Sequence, residues 1–178
     1  MPRLRGTYGE VYTYITSTPS TQALLAPDAP EGAVVVADDQ TAGRGRLGRQ
    51  WLAPAGTSLL CSVQLRPHVD PQRLPELTGV AAEAAAEAIE AVTGLAPEIK
   101  EPNDLLLGGR KVAGVLAEAR EERVVLGIGI NANIPAGKLP TDVATSLLLE
   151  TGRELDRAEL LVELLYRLEQ RYDAWVSA

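Results

Sequence analysis

The amino-acid sequence predicts one domain of the α+β class, in which helices pack on a mixed, largely antiparallel sheet. The chain has 178 residues, of which 46% are hydrophobic, which is enough for one core. Short apolar segments of strand length are separated by Gly and Pro turns, and two long segments have helical periodicity. Because these helical segments do not alternate regularly with the strands, a doubly wound fold is not expected.

The first half of the chain contains three predicted strands and one long helix. Alternation and β-branched residues indicate a strand at 11–15, and hydroxyl caps before a Pro/Gly turn indicate a short helix within 17–32. The apolar run 33–38 is predicted as a buried strand that leads directly into a loop rich in Arg and Gly. The segment 57–66 is the next strand, and the alanine-rich segment 74–94 is a helix that stops at Gly94.

The second half adds a strand, a hairpin, a buried strand and a final helix. Residues 97–100 read as a strand, and 104–119 as a hairpin turning at Gly108 and Gly109. Residues 123–134 read as a buried strand whose end carries two asparagines. A helix is predicted from Asp156 to about residue 175, because Asp156 and Glu159 have capping-box spacing. Its apolar stripe consists of Leu160, Leu161, Leu164, Leu165 and Leu168.

Composition excludes several classes of function. The chain has 24 acidic against 17 basic residues, a net charge of -7, so it has no general attraction for nucleic acid or anionic lipid. With one cysteine, Cys61, and one histidine, His68, neither a disulfide framework nor a Cys/His metal site is expected. No stretch approaches the length of a membrane span and no signal peptide is recognisable, which predicts a soluble cytoplasmic protein without nucleic-acid or membrane partners.

The Arg/Gly loop is the first candidate site. Its segment GRGRLGR (43–49) holds Arg44, Arg46 and Arg49 among three glycines. Arginine forks bind carboxylates and phosphates, and glycine lets backbone N–H groups approach the same anion. The residues alone leave open a solvated loop, a clamp for a small anion and an RGG-like nucleic-acid contact. A Walker loop is excluded, because the Gly-Lys-Ser/Thr ending is missing.

Two further stretches carry polar residues at the ends of predicted strands. In KEPNDLLLGGRKVAG, Asp104 and Lys111 lie on opposite sides of the Gly-Gly turn, so a hairpin would bring carboxylate and ammonium together. Asp104 could then hold Mg²⁺ or an amine, and Lys111 could neutralise phosphate oxygens. In GIGINANI, the amides of Asn131 and Asn133 offer a donor and an acceptor, as the edge of adenine requires. Each feature is also compatible with an ordinary turn.

Taken together, these stretches resemble the catalytic domain of biotin protein ligases. The family pattern has a Ser-Thr-Asn segment, DxQTxGRGRxGRxW, KWPNDxxxxxxKxxGxLxE, GIGxNxN and ATSL, in this order. The corresponding segments here are STQ (20–22), DDQTAGRGRLGRQW (38–51), KEPNDLLLGGRKVAGVLAE (100–118), GIGINAN (127–133) and ATSL (144–147). The resemblance covers essentially the whole chain and implies an α+β fold similar to that of the class II synthetase/biotin ligase catalytic domain.

The resemblance implies a two-step reaction with ATP and Mg²⁺ as cofactors and biotin as substrate. Biotin is activated to biotinyl-5′-adenylate, and the acyl group then passes to a lysine of a biotin carboxyl carrier domain of acetyl-CoA carboxylase. Arg46, Lys111 and Asp104 are the implied catalytic residues, with Asp104 also the metal ligand. The implied biotin site is Ser20, Thr21, Gln40, Gly43, Arg44, Arg46, Trp51 and Gly114, and the implied ATP site is Arg44, Arg49, Asn103, Lys111 and Asn131.

Two features depart from the family pattern. Glu101 replaces the family tryptophan of KWPND, which removes an apolar surface from the predicted biotin site. Residues 1–178 are expected to form the catalytic domain alone, without an N-terminal DNA-binding domain and without the family's small C-terminal SH3-like domain. The pair Ser17–Thr18 is an alternative to Ser20–Thr21 for the biotin ring, and the oligomeric state, including a homodimer, stays open.

Alternative functional interpretations of the sequence remain beside that of a biotin ligase. A protein that binds biotin or its adenylate without turnover is one alternative. A lipoate ligase or octanoyl transferase of the same fold is another, although their Arg-Arg-x-Ser-Gly-Gly-Gly loop is absent from the sequence. An octanoyl transferase would also need a nucleophile, and Cys61 lies inside an apolar strand, where a thiol is expected to pack rather than react.

Overall fold

The computed structural model describes residues 3–178 and has the predicted α+β architecture. The helices are α1 (Leu77–Thr93), α2 (Leu147–Thr151) and α3 (Arg157–Ser177). The strands are β1 (Tyr12–Thr18), β2 (Val34–Gln40), β3 (Gly43–Arg44), β4 (Gln50–Trp51), β5 (Leu59–Leu65), β6 (Glu98–Lys100), β7 (Asp104–Leu107), β8 (Arg110–Arg120) and β9 (Arg123–Ile130).

Seven of these strands form one mixed sheet in the order β1-β2-β5-β9-β8-β7-β6. The pair β1/β2 is parallel, and every other neighbouring pair in this sheet is antiparallel. The remaining strands, β3 and β4, pair only with each other and form a small hairpin inside the Arg/Gly loop. The predicted fold class, a largely antiparallel sheet with helices packed on it, is confirmed.

Helices α1 and α3 cover one face of the sheet and contact each other. The side of α1 that faces this core is built from alanines, which allow close approach, whereas α3 contributes the predicted leucine stripe, all of it buried. From the sheet, Ile128 and Ile130 of β9 point into the same core. Gly127 and Gly129, which alternate with these isoleucines along β9, therefore lie on the opposite face of the sheet.

The opposite face of the sheet carries little apolar cover. A small cluster of Leu25, Ala33, Val35 and Val125 lies under the segment that follows β1. Much of the remaining buried surface here is polar, including Thr21 and Ser62, whose hydroxyls lie 2.7 Å apart. This face is therefore available for a polar ligand rather than for further packing.

Several element boundaries differ from the sequence prediction. Strand β2 continues to Gln40, because Asp39 and Gln40 still pair with β1. The helix expected from residue 74 begins as a 3-10 turn, Pro71–Glu76, that contains Pro75, and becomes α-helical at Leu77. Two short elements were not predicted at all, namely the β3/β4 hairpin and helix α2, which begins after the cap Ser146. Within residues 3–178, no helix is long and apolar enough to cross a membrane.

The contribution of the N-cap Asp156 to the stability of helix α3 can be tested directly. The Asp156 carboxylate accepts hydrogen bonds from Ala158 N at 2.8 Å and from Glu159 N at 3.4 Å. Asp156→Ala should lower the free energy of unfolding by about 1 kcal/mol, because two N–H groups at the start of α3 lose their acceptor. Urea denaturation measures the change, with Asp142→Ala, at an exposed loop position, as control. Equal stability of the two variants would show that the cap contributes nothing.

Candidate active site

A cleft of about 290 Å³ opens on the face of the sheet that the helices leave uncovered. Its walls come from the 3-10 turn after β1, the Arg/Gly loop, the turn between β6 and β7, and strands β8 and β9. The predicted site residues that line it are Ser20, Thr21, Gln40, Arg44, Arg46, Arg49, Trp51, Asn103, Asp104, Lys111 and Gly114.

The indole of Trp51 packs on a glycine surface of the sheet. A Cβ at Gly129 would lie 2.6 Å from Trp51 Cε2, and a Cβ at Gly114 would lie 2.9 Å from Cζ3. At the base of the loop, a Cβ at Gly43 would lie 2.6 Å from the carbonyl oxygen of Trp51. All three distances are shorter than side-chain contacts in proteins, so these positions require glycine if Trp51 is to lie where it does.

Each of three cations in the cleft has a polar partner. Lys111 Nζ lies 2.8 Å from Asp104 Oδ1 and 5.3 Å from the centre of the Trp51 ring. Arg44 Nη1 lies 3.2 Å from Glu118 Oε1. The predicted convergence of Asp104 and Lys111 across the Gly-Gly turn is confirmed, because Gly108 and Gly109 adopt positive φ values of 56° and 77° and close the β7/β8 hairpin. The third cation is Arg46, whose Nη1 donates to Asn103 Oδ1 at 3.4 Å.

The tip of the Arg/Gly loop projects into solvent. Leu47 has φ 58° and ψ 35°, a left-handed conformation that is uncommon for a residue other than glycine, and its side chain is 84% exposed. Gly48 follows with φ 73°. The loop closes on itself through a hydrogen bond from Gly45 N to Arg49 O at 2.8 Å. The arginines therefore flank an exposed turn that has little contact of its own with the sheet.

A buried polar group lies at the start of the 3-10 turn after β1. Gln40 Oε1 accepts from Thr21 N at 2.8 Å and from Thr21 Oγ1 at 3.0 Å. Ser20 and Thr21 line the cleft, whereas Ser17 donates to Asp39 Oδ2 at 2.7 Å and does not belong to the lining. Of the two Ser-Thr pairs that the sequence left open, the structure brings Ser20–Thr21 to the cleft.

Three of the residues that line the cleft carry buried polar atoms without a hydrogen-bond partner in the described part of the chain. These atoms are Ser20 Oγ, Gln22 Oε1 and Trp51 Nε1. A buried polar atom without a partner costs about 1–3 kcal/mol. Their grouping around one cleft indicates a site built for a ligand with several hydrogen-bonding groups.

The asparagines of GIGINAN differ in their surroundings. Asn131 is 2% exposed, donates from Nδ2 to Thr145 O at 3.0 Å, and has a buried Oδ1 without a partner in residues 3–178. It is not part of the lining of the cleft. Asn133 instead forms two hydrogen bonds with the backbone of Leu155, both at 2.9 Å, and so connects the end of β9 to the start of α3.

Cys61 lines the cleft but is 2% exposed. Burial raises the pKa of its thiol to about 12, so the reactive thiolate is not formed near neutral pH. The sequence interpretation of Cys61 as a packing residue agrees with this environment. A mechanism through a cysteine nucleophile has no support at this site.

The carboxylates of the cleft suit a metal ion only in combination with a ligand. In the part of the chain that the structure describes, no group of three or more His, Cys, Asp or Glu side chains could hold a metal by itself. Asp104 offers one carboxylate, already paired with Lys111. Mg²⁺ commonly binds through one or two carboxylates plus substrate phosphates and water, and Asp104 fits that pattern.

Two features of the site were not predicted from the sequence: the part of the glycine surface formed by Gly127 and Gly129, and the polar residue Gln22. Gly127 and Gly129 line the cleft, and a Cβ at Gly127 would lie 3.1 Å from the Gln22 side chain. Two glycines at alternate positions of a buried strand indicate close approach of another group, so the signal was present in GIGI. Gln22, at the position of the family asparagine, also lines the cleft. The predicted site residue Gly43 does not line this cleft but lines a neighbouring pocket at the base of the Arg/Gly loop.

The chain is thus an α+β domain with an open mixed sheet, and the uncovered face carries a cleft lined by cations and by buried polar atoms without a partner in residues 3–178. The chain belongs to the biotin/lipoate A/B protein ligase family, which it matches over residues 11–134. The resemblance recognised in the sequence is thereby confirmed.

Individual relatives agree with this assignment. The chain is 44% identical over 172 residues to the bifunctional ligase/repressor BirA of Bacillus spizizenii, covering 92% of this chain and 53% of that protein. It is 37% identical to the biotin–[acetyl-CoA-carboxylase] ligase of Mycobacterium tuberculosis, covering 92% and 65%. The chain thus spans about half the length of the Bacillus relative. Biotin protein ligase from Aquifex aeolicus, solved with biotin and ATP, has a TM-score of 0.84 and 33% identity over 94% of this chain and 72% of that one.

The packing of Trp51 on the glycine surface can be tested by adding one methyl group to that surface. Gly129→Ala should displace the Trp51 indole, since the new Cβ would overlap the ring, and destabilise the protein by about 1–3 kcal/mol. Urea denaturation gives the stability, and acrylamide quenching in a Trp175→Phe background reports on Trp51. Gly79→Ala is the control, because nothing lies within 4 Å of its Cβ position and α1 should gain about 1 kcal/mol. A Gly129→Ala protein with unchanged stability and quenching would refute the packing account.

Proposed function

We propose that this chain activates biotin with ATP to biotinyl-5′-adenylate and transfers the biotinyl group to a lysine of a biotin carboxyl carrier domain. The observation that carries the proposal is that one cleft is lined both by Arg44, Arg46 and Lys111 and by buried polar atoms without a hydrogen-bond partner in residues 3–178. A ligand with a carboxylate, phosphates and a polar ring satisfies both sets of groups. The relatives named as biotin ligases support the same substrate.

The first step joins two anions. A carboxylate oxygen of biotin attacks the α-phosphorus of ATP, the bond from that phosphorus to the bridging oxygen breaks, and pyrophosphate leaves. Carboxylate and triphosphate repel each other, so the step needs cations on both sides of the forming bond. We assign Arg46 to the carboxylate and the α-phosphate, Arg44 and Arg49 to phosphate oxygens, and Lys111 to the charge that develops at phosphorus.

The polar ring is assigned to the buried group after β1. Ser20 Oγ, Thr21 and the Gln40 side chain offer hydroxyl and amide groups to a ureido ring, which has one carbonyl acceptor and two N–H donors. The backbone near Gly43 and Gly114 completes that wall, and the Trp51 indole excludes water. Adenine and its ribose phosphate are assigned to Asn103 and Asn131. Asn131 does not line the cleft, and its assignment rests on the family resemblance and on a buried Oδ1 without a partner in residues 3–178.

Mg²⁺ would be held by Asp104 together with ATP phosphates, where it would neutralise phosphate charge. In the second step a carrier lysine attacks the acyl carbon, AMP leaves and the amine loses a proton. Asp104 lies at the edge of the cleft, one quarter exposed, where it could orient an incoming ammonium group. The acceptor is therefore proposed to be a lysine at the surface of the carrier domain, which can reach this edge of the cleft from solvent.

Two alternatives predict different products. A lipoate or octanoate enzyme of this family would use a linear acyl chain, and a binding protein would hold biotin without turnover. Incubation with Mg·ATP and either biotin or lipoate, followed by pyrophosphate measurement and mass spectrometry of the acyl-adenylate, separates them. Pyrophosphate release with biotin and not with lipoate is expected. Binding of biotin without any adenylate would contradict the enzymatic proposal.

Arg46→Gly tests the retention of the intermediate. Loss of the Arg46 guanidinium removes a charge-assisted contact of about 1.5–3 kcal/mol, so the adenylate should dissociate roughly 10- to 150-fold faster. A freed mixed anhydride acylates lysines without selectivity, so biotin should appear on unrelated proteins in a blot of a lysate protein pool. Arg46→Lys, which keeps the charge without the fork, should give an intermediate result. Label confined to the carrier for all three proteins, with adenylate made by each, would refute the role of Arg46.

Glu101→Trp tests the departure from the family pattern. Glu101 is exposed and lines the cleft, so an indole there should add apolar contact with biotin and tighten its binding. Full burial of an aromatic side chain contributes roughly 1.5–3 kcal/mol, of which the ligand would gain a part. Calorimetric titration measures the affinity, with Glu98→Trp as control, because Glu98 is exposed on β6 but does not line the cleft. Equal affinity of both variants would place the apolar wall elsewhere.

A further inference from the structure

Arg157 occupies an unfavourable position in its helix. It is the first residue of α3, where the helix dipole is positive and a cationic side chain is disfavoured. The guanidinium extends towards the sheet and is only 29% exposed. A cation at this place needs compensating partners, and the structure supplies two.

These partners lie on the two stems of the Arg/Gly loop. Arg157 Nη1 donates to Asp38 Oδ1 at 2.9 Å and to the carbonyl oxygen of Ser58 at 3.0 Å. Asp38 belongs to β2, which leads into the loop, and Ser58 precedes β5, which leads away from it. One guanidinium group therefore bridges the two ends of the segment 39–57, which contains the Arg/Gly loop.

A backbone hydrogen bond also joins the two stems at the base of the loop. Gly56 N donates to the backbone oxygen of Asp38 at 2.8 Å, directly beside the Arg157 ion pair. Tyr14 also donates to the Asp38 carboxylate. The hydrogen bond from Tyr14 and the charge of Arg157 hold the pKa of Asp38 below its usual value, so the carboxylate stays ionised near neutral pH.

The same junction reaches the segment after β9. Asn133 N donates to Thr57 O at 2.6 Å, and the Asn133 amide binds the backbone of Leu155, two residues before Arg157. The start of α3 thus connects to both the outgoing loop stem and the segment that carries Asn131. A displacement of either stem would be resisted at this junction.

We propose that Arg157 is a positioning residue, which holds the two stems of the Arg/Gly loop at a fixed separation and so places Arg44, Arg46 and Trp51 over the cleft. It contacts no residue assigned to substrate, and it acts from behind the sheet through Asp38 and Ser58. Because the loop tip is exposed, the position of its arginines depends on the stems together with the contact of Trp51 on the sheet. The consequence for catalysis rests on the proposed function, whereas the consequence for loop order does not.

Hydrogen exchange of the ligand-free protein tests the positioning role. In Arg157→Met, which keeps an apolar stem but loses both hydrogen bonds, amides of residues 39–57 should exchange at least about 10-fold faster, the factor for one charge-assisted bond. Gly56, whose amide closes the stem, is the most direct reporter. Core amides of β5 and β9 should be unchanged. Arg167→Met is the matched control, since Arg167 lies on the same helix in a half-buried ion pair with Glu163 at 2.7 Å and does not contact the loop stems.

A second measurement relates loop order to function. The rate constant for release of biotinyl-adenylate should rise about 10-fold in Arg157→Met, with Arg157→Lys in between because an ammonium still pairs with Asp38. If Arg157→Met does not fold, Arg157→Lys is used in its place for both the exchange and the release measurements. Unchanged exchange in 39–57, or equally faster exchange in the β5 and β9 core, would overturn the proposal. If the wild-type protein makes no adenylate, the proposed function fails, while the exchange comparison still decides the role of Arg157.

Discussion

The contact between the Trp51 indole and the glycines of β8 and β9 holds the outgoing end of the Arg/Gly loop against the sheet. Gly114 and Gly129 leave no side chain between the ring and the sheet, so the end of the loop rests directly on the backbone. That contact places Lys111 near the ring and closes the cleft over the uncovered face. The helices lie on the other face, where Ile128 and Ile130 of the same strand enter the core. A single alternating strand thus contributes to the core with one side and lines the cleft with the other.

The charges of the cleft explain how a strongly acidic chain could hold an acidic ligand. The net charge is -7, yet Arg44 and Lys111 are each paired with one carboxylate, and Arg46 contacts an amide oxygen. These partners lie at or near the surface, where an ion pair contributes about 0–1 kcal/mol. Replacing these weak partners with a carboxylate or phosphate of a ligand in the cleft therefore costs little free energy. The cations are therefore already near their proposed positions, and a ligand has to replace only weak contacts.

Much of this arrangement could be predicted from the sequence, and the failures have physical reasons. The Asp104–Lys111 pair followed from the Gly-Gly turn, because a hairpin fixes which residues oppose each other. The stripe of α3 followed from helical periodicity. Arg157 could not be predicted, since its partners Asp38 and Ser58 are about 100 residues away along the chain and meet it only through the packing of α3 on the sheet. Helix α2 and the β3/β4 hairpin were missed because elements of five and two residues carry almost no periodic signal.

In the proposed function, the Arg/Gly loop clamps a carboxylate and a phosphate together. Hydrogen exchange of residues 43–50 should be compared in the free protein, with biotin alone, with Mg·ATP alone and with both. The account predicts the largest protection with both ligands, when the adenylate supplies both anions, and a stabilisation that grows with ligand concentration. Unchanged exchange in this segment, with adenylate shown to be bound, would contradict the account.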